Sequence, residues 1–166
     1  ALGALRPTAL YQPSMEAGIP VGQEFLIVGF NRLKDFYPAL AAENLRLQKD
    51  VNGNPISARS AYVDLDARGE ERDTTGTNFA RALDLKENRV RLVELLKQIV
   101  RPGETVGLPA VLGLNDSTAW KDIQEMLGHP VFEIILQPPS VPGMRLNQEL
   151  TEIAKANCRV MLGSAL

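Results

Sequence analysis

Cysteine and histidine are nearly absent from this 166-residue chain, and that removes several kinds of chemistry at once. The one cysteine, Cys158, excludes an intramolecular disulfide and a cysteine-built metal cluster. The one histidine, His129, excludes a multi-histidine metal site. A thiol–imidazole catalyst would need Cys158 with His129, and the neighbours of neither support one. Gly-x-Ser-x-Gly is missing, and with it a serine nucleophile elbow. The Gly-x-Gly-x-x-Gly fingerprint and the Walker loop are missing too. A net charge of −2 provides no basic field for nucleic acid. No apolar run reaches the length of a membrane span. No basic segment with an apolar core marks a signal peptide. Carboxylates are plentiful, but no two stand out as a general acid and base.

What remains is ordinary globular material, 45% hydrophobic and 23% charged. The length suits one domain with an additional arm. Residues 1–22 contain Gly3, Pro7, Pro13, Gly18 and Pro20 with no sustained period, and read as an arm or linker. The chain opens at Ala1 and stops just after the apolar run Val160-Met161-Leu162. Both ends read as cut, so a piece of a longer protein is expected.

From Glu24 the pattern alternates between strand and helix. Glu24–Phe30 is a continuous apolar run expected as a first, buried strand. A helix follows, with Phe36, Leu40 and Leu47 compatible with its buried side. Asp35 can cap it, which places Pro38 in the tolerated first turn. If the helix begins at Asn31 instead, Pro38 kinks it. Alternation over Ser60–Asp66 predicts a second strand, and the charged stretch from Arg68 to Thr75 a solvated loop. Thr77–Asp84 reads as a short helix with Thr77 as its cap. Asn78 and Arg81 share one face of it, either exposed or able to meet a small polar ligand. The stripe Leu92, Val93, Leu96, Ile99 and Val100 predicts a core-facing helix, ended by Pro102-Gly103.

Thr105–Leu112 is expected as a third strand, weakened by Gly107 and Pro109. Asn115-Asp116-Ser117 then caps a helix carrying Trp120, Ile123 and Leu127. Trp120 reads as packing, and His129, in a turn, as structural or exposed. Val131–Leu136 is a fourth strand and Arg159–Leu162 a fifth. The order β-α-β-α-α-β-α-β-α-β argues for an α/β fold: a mostly parallel open sheet of about five strands flanked by helices, Rossmann-like without a dinucleotide fingerprint.

The most promising ligand loop is Gln137–Leu146, between the fourth strand and a helix whose apolar face carries Leu146, Leu150 and Ile153. Open α/β sheets place ligands at such crossings. Three prolines stiffen the segment, and Gly143 permits a positive φ or a close backbone approach. Arg145 near a helix N-terminus suggests an anion or carboxylate site. Against this stands the plainer reading, in which the prolines punctuate and Arg145 pairs with a surface carboxylate.

Several motifs, in order, resemble one family. They are Leu2-Gly3-x-Leu5-Arg6-x-Thr8, Ile27-Val28-Gly29, and Asp35-Phe36 with Leu40-Ala41-Ala42 and Leu45. Then come Asn78-x-Ala80-Arg81-x-Leu83-Asp84, Leu108–Leu114, and Pro138-Pro139-Ser140-Val141-x-Gly143-x-Arg145-Leu146. Together they resemble the central part of the B subunit of the anaerobic glycerol-3-phosphate dehydrogenases, which are flavoproteins. The resemblance implies an inserted cap, or substrate, domain over residues 23–166, with residues 1–22 as the link to a flavin domain. It implies oxidation of sn-glycerol 3-phosphate to dihydroxyacetone phosphate in anaerobic respiration, with electrons passed through flavin (FMN or FAD) to quinone. No cofactor is expected in this chain itself. Implied partners are glycerol 3-phosphate and the A and C subunits of the dehydrogenase. The implied place is the cytoplasmic face of the membrane, without direct insertion. Arg6, Thr8, Asn78, Arg81, Ser140, Gly143 and Arg145 are the candidates for substrate or flavin contact, the arginines because guanidinium matches phosphate in a bidentate way. Two alternatives stay open. One is a docking module of the same complex without substrate contact. The other is a free-standing α/β phosphate-binding domain.

Overall fold

The computed structural model describes residues 4, 8–67, 73–160 and 163. Four strands form one sheet, β1 (Glu24–Phe30), β2 (Ser57–Val63), β3 (Glu104–Pro109) and β4 (Val131–Ile134), in the order β2-β1-β3-β4. All three pairings are parallel. Five helices alternate with them: α1 (Pro38–Arg46), α2 (Gly76–Leu83), α3 (Lys86–Lys97), α4 (Ala119–Leu127) and α5 (Val141–Asn157). The expected element order holds through α5. The expected sheet of about five strands has four among the described residues. Arg159 and Val160 leave α5 without joining it, and Met161 and Leu162 lie outside the described residues.

The sequence of each strand follows from its place. β1 and β3 are central and covered on both faces, so every residue in them but Glu24 is buried, and β1 reads as a nearly unbroken apolar run. β2 is an edge strand and alternates in exposure. It runs from Ser57 to Val63, three residues earlier than the alternation suggests. Phe25 meets Phe132 edge-on across the sheet, with centroids 6.0 Å apart. Gly107 on β3 has no side chain because there is no room for one. A Cβ there would lie 2.7 Å from Phe132 Cζ and 2.8 Å from Ile27 Cδ1.

Helix α1 begins at Pro38, in the first turn as expected, but its N-cap is Tyr37 rather than Asp35. It buries Ala41, Ala42 and Leu45, while Leu40 and Leu47 point to solvent. Helix α2 is capped by Thr75, not Thr77, because the Thr75 hydroxyl accepts the Asn78 N–H. The α3 and α4 stripes bury as expected through Leu92, Val93, Leu96, Ile123 and Leu127. Helix α5 differs most. Leu146, Leu150 and Ile153 do share a face, but each is more than half exposed, and the helix buries Val141, Pro142 and Arg145 instead.

A 3-10 turn, Pro13–Met15, packs against β4, so this part of the N-terminal arm is laid on the sheet.

Candidate functional site

Doubly wound sheets usually bind ligands where the strand order reverses, here between the carboxyl ends of β1 and β3. In this protein that crevice is filled. The Thr74 N–H donates to Arg32 O just beyond β1 (2.9 Å), and Thr74 bridges to Leu33. Two residues on, Gly76 lies against Val111, just beyond β3. Phe30 at the end of β1 packs on Phe79 of α2, with centroids 4.8 Å apart and the rings tilted by 39°. The available concavity is displaced toward β4. It is an open pocket of about 540 Å³ between α2, the loops after β3 and β4, and the start of α5.

Arg81, Leu114, Pro138, Pro139, Ser140, Gly143, Met144, Asn147 and Gln148 line it. The Pro138–Pro139 peptide bond is cis. Ser140 is the N-cap of α5, its hydroxyl accepting the Gly143 N–H at 3.4 Å. Arg81 is exposed in the last turn of α2 and supplies the positive charge, with no acidic side chain among the described lining residues. The amides of Asn147 and Gln148 add donors and acceptors suited to hydroxyls. Gln148 also reaches Asn115 at 3.5 Å. A second cavity of about 220 Å³ lies at the opposite end of the sheet, by the starts of β1 and β2, and holds none of the expected residues.

The expected site residues are thus divided. Arg81, Ser140 and Gly143, far apart in sequence, come together in one pocket. Asn78 does not line it. Its side chain donates to Thr74 Oγ1 at 3.1 Å and closes the first turn of α2. Thr8 is exposed on the arm and does not line it either. Arg6 lies outside the described residues.

Arg145 is the main departure. It is buried, with its side chain 6% exposed, and every guanidinium nitrogen is engaged internally. Nε donates to Gly113 O (2.8 Å) and Nη2 to Leu112 O (3.0 Å) and Gly113 O (2.5 Å). Nη1 and Nη2 grip Glu133 at 2.7 and 3.1 Å. No donor is left for an external anion. Glu133, inside the apolar fourth strand, is the residue that the pattern missed. Its carboxylate also accepts the Leu112 N–H (2.8 Å) and the Ser14 hydroxyl (2.6 Å).

The loop carrying Leu114 is held by a second carboxylate. Asp84 accepts the N–H groups of Leu114, Asn115 and Asp116 at 2.8–3.0 Å. Asp116 in turn pairs with buried Arg89. The Thr118 hydroxyl, and then Arg89, hold the Asp116 carboxyl below its ordinary value despite its burial. His129 is structural: its Nδ1 is 3.0 Å from Glu104 O, which only accepts, so that nitrogen carries the proton. Among the described residues there is no group of three or more metal-ligating side chains, and no helix is long and apolar enough to cross a membrane.

The family model for an FAD binding domain matches residues 1–163. The chain belongs to the FAD-binding domain family. Flavin, as FAD, is the cofactor of that family. The chain is 34% identical over 161 residues to the B subunit of the anaerobic glycerol-3-phosphate dehydrogenase of Yersinia pestis, covering 90% of this chain and 36% of that protein. The corresponding B subunit of Pectobacterium carotovorum is 33% identical over 135 residues, covering 79% of this chain and 31% of the relative. That of Mannheimia succiniciproducens is 29% identical over 157 residues, covering 90% and 36%. The chain therefore spans about a third of the length of the curated relatives it matches. No solved structure matches it.

The described residues do not fit a whole FAD by themselves. Its pyrophosphate is usually held by a glycine-rich turn against a helix N-terminus. That fingerprint is absent from the chain, and Thr74, Gly76 and Phe79 occupy the crevice where the cofactor would lie.

Proposed function

We propose that this chain is the substrate-side, or cap, domain of one subunit of a flavin-dependent sn-glycerol-3-phosphate dehydrogenase. In this reading flavin is held by other parts of a longer protein, and the Arg81–Ser140–Gly143 pocket receives the phosphate end of the substrate. The observation that carries it is the convergence of these three residues at an open concavity whose described lining holds one cation and no acid. Arg81 supplies charge and paired donors, and Asn147 and Gln148 supply hydrogen bonds to the hydroxyls. The domain's part is positioning and exclusion of water, while the cofactor supplies the redox chemistry. Electrons pass to quinone through the partner A and C subunits, which hold the protein at the cytoplasmic face of the membrane.

The test is an amide NMR titration of the chain with sn-glycerol 3-phosphate, with sulfate as control. Shifts should cluster on Arg81, Leu114, Ser140, Gly143, Met144, Asn147 and Gln148, and Arg81→Ala should abolish them. Absence of shifts there, or an equal response to sulfate, sinks the substrate-site reading.

One observation favours a second reading, the docking module. Leu146, Leu150 and Ile153 form an uncovered apolar face on α5, directly beyond the pocket. In that case Leu150→Lys leaves the chain's stability unchanged but weakens its assembly with the A subunit. Arg81→Ala then affects neither.

A further inference from the structure

Two of the pocket's walls, the loop after β3 and the start of α5, are held by residues outside its lining. Leu114 follows Gly113, whose carbonyl is held by Arg145. Ser140, Gly143 and Met144 flank Pro142 and Arg145 on α5. The Arg145 guanidinium is set in turn by Glu133, and Glu133 is set by Ser14. Ser14 is 3% exposed, and its hydroxyl donates at 2.6 Å to Glu133 Oε2, the same oxygen that receives Arg145 Nη1. Gln12 joins the same node. Its Nε2 donates to Pro142 O at 2.9 Å, and its Oε1 accepts from Arg145 Nη1 at 3.3 Å. The arm that sequence patterning reads as a linker thus bears on both walls through one buried ion pair.

We propose that Ser14 is a positioning residue for the pocket: through its hydrogen bond to Glu133 it orients Arg145, and Arg145 sets the Leu112–Leu114 loop against the first turn of α5. Ser14 supplies direction, not charge. Glu133 already has an arginine to balance its charge, so Ser14 is not needed for neutrality. What a hydroxyl at a fixed place adds is a choice among carboxylate orientations. Glu133 Oε1 meets the Leu112 N–H and Arg145 Nη2, while Oε2 meets Arg145 Nη1 and the Ser14 hydroxyl. Without the hydroxyl the carboxylate keeps its bonds to Arg145 and the Leu112 N–H but loses one donor on Oε2, and its broad terminal torsion is less restrained. The guanidinium and the Gly113 carbonyl move with it.

This inference rests on the pocket reading for its effect on affinity, but not for its effect on geometry. The experiment therefore reads both in the 166-residue chain. Ser14→Ala should shift the amides of Leu112–Leu114, Ser140, Val141, Gly143 and Met144, all remote from it in sequence. It should also weaken binding of sn-glycerol 3-phosphate about tenfold, as expected for one hydrogen bond to a charged group. Gln12→Ala, which touches the same node at a part-buried position, should give the same pattern at smaller amplitude and decides the matter should Ser14→Ala unfold. Gln124→Ala removes a comparable hydrogen bond, from the Val131 N–H (3.0 Å), away from this node. It should leave affinity unchanged, separating positioning from general loss of stability. Shifts confined to residues 12–16 and Glu133, or equal affinities in Ser14→Ala and the parent, overturn the proposal. If the parent chain fails to bind glycerol 3-phosphate, the pocket reading fails, and the amide shifts alone decide whether Ser14 positions these walls.

Discussion

Arg145→Ala separates two roles for the same residue by the size of the stability loss. An arginine that binds an external phosphate contributes little to folding, and its removal changes stability by less than about 0.5 kcal/mol. An arginine buried against Glu133 behaves otherwise. The Glu133 side chain is fully buried and cannot recover hydration when its partner is removed. The Leu112 and Gly113 carbonyls lose their arginine donors at the same time. Breaking a buried pair by removing one partner costs about 3–5 kcal/mol, mostly from the charge left behind. That is a large share of the roughly 5–15 kcal/mol available to a domain. At about 2–4 °C per kcal/mol for a chain of this size, the midpoint should fall by roughly 6–20 °C.

Urea titrations and thermal melts of the parent and Arg145→Ala make the measurement. Arg145→Met combined with Glu133→Gln should return part of the loss, because the stranded charge is gone and an acceptor for the Leu112 N–H remains. A loss below about 1 kcal/mol for Arg145→Ala refutes the reasoning and returns Arg145 to the anion-binding role that its sequence position suggests.

Two further perturbations test other parts of the frame. Burial pushes the Glu104 carboxyl up, but the Arg59 fork at 2.5 and 2.7 Å, the Arg101 N–H and both their charges outweigh it and hold the group below its ordinary 4.5. A lowered folded value means that the stability is complete above 4.5 and is lost as pH falls through 4.5 and then through the folded value. Urea midpoints should therefore be level from about pH 6 to 5 and drop toward about pH 3, and Glu104→Gln should lower the plateau and flatten the drop. Gly113→Ala should cost roughly 2–4 kcal/mol by chemical denaturation. Gly113 sits at φ +88°, and its new Cβ would meet the Asp116 carbonyl oxygen and, at 2.9 Å, Ala119 Cβ.

The alternation of strands and helices was legible because central parallel strands must be apolar on both faces and helices must carry stripes. Glu24–Phe30 and Leu92–Leu96 show both rules. Caps were less legible. Thr75 and Thr77 are chemically equal at sequence level, and only the chain's path past Arg32 gives Thr75 the cap. Burial on α5 was the least legible. A stripe such as Leu146, Leu150 and Ile153 reports that one face is apolar, not that anything covers it.

The same limit explains the split within the candidate site. Arg81, Ser140 and Gly143 could be singled out because each sits at a helix end or in a loop, where local geometry exposes polar groups. Arg145 lies in the first turns of α5, where the same local rule points it toward an anion. It is instead satisfied by Glu133, twelve residues earlier, and by carbonyls more than thirty residues away. A glutamate within Val131–Leu136 was the available signal. A charge inside a strand buried on both sides needs an opposite charge, and the only cation in the loop that follows, up to α5's first turns, is Arg145. Reading that demand first would have assigned Arg145 to the core and left Arg81 as the cation of the pocket.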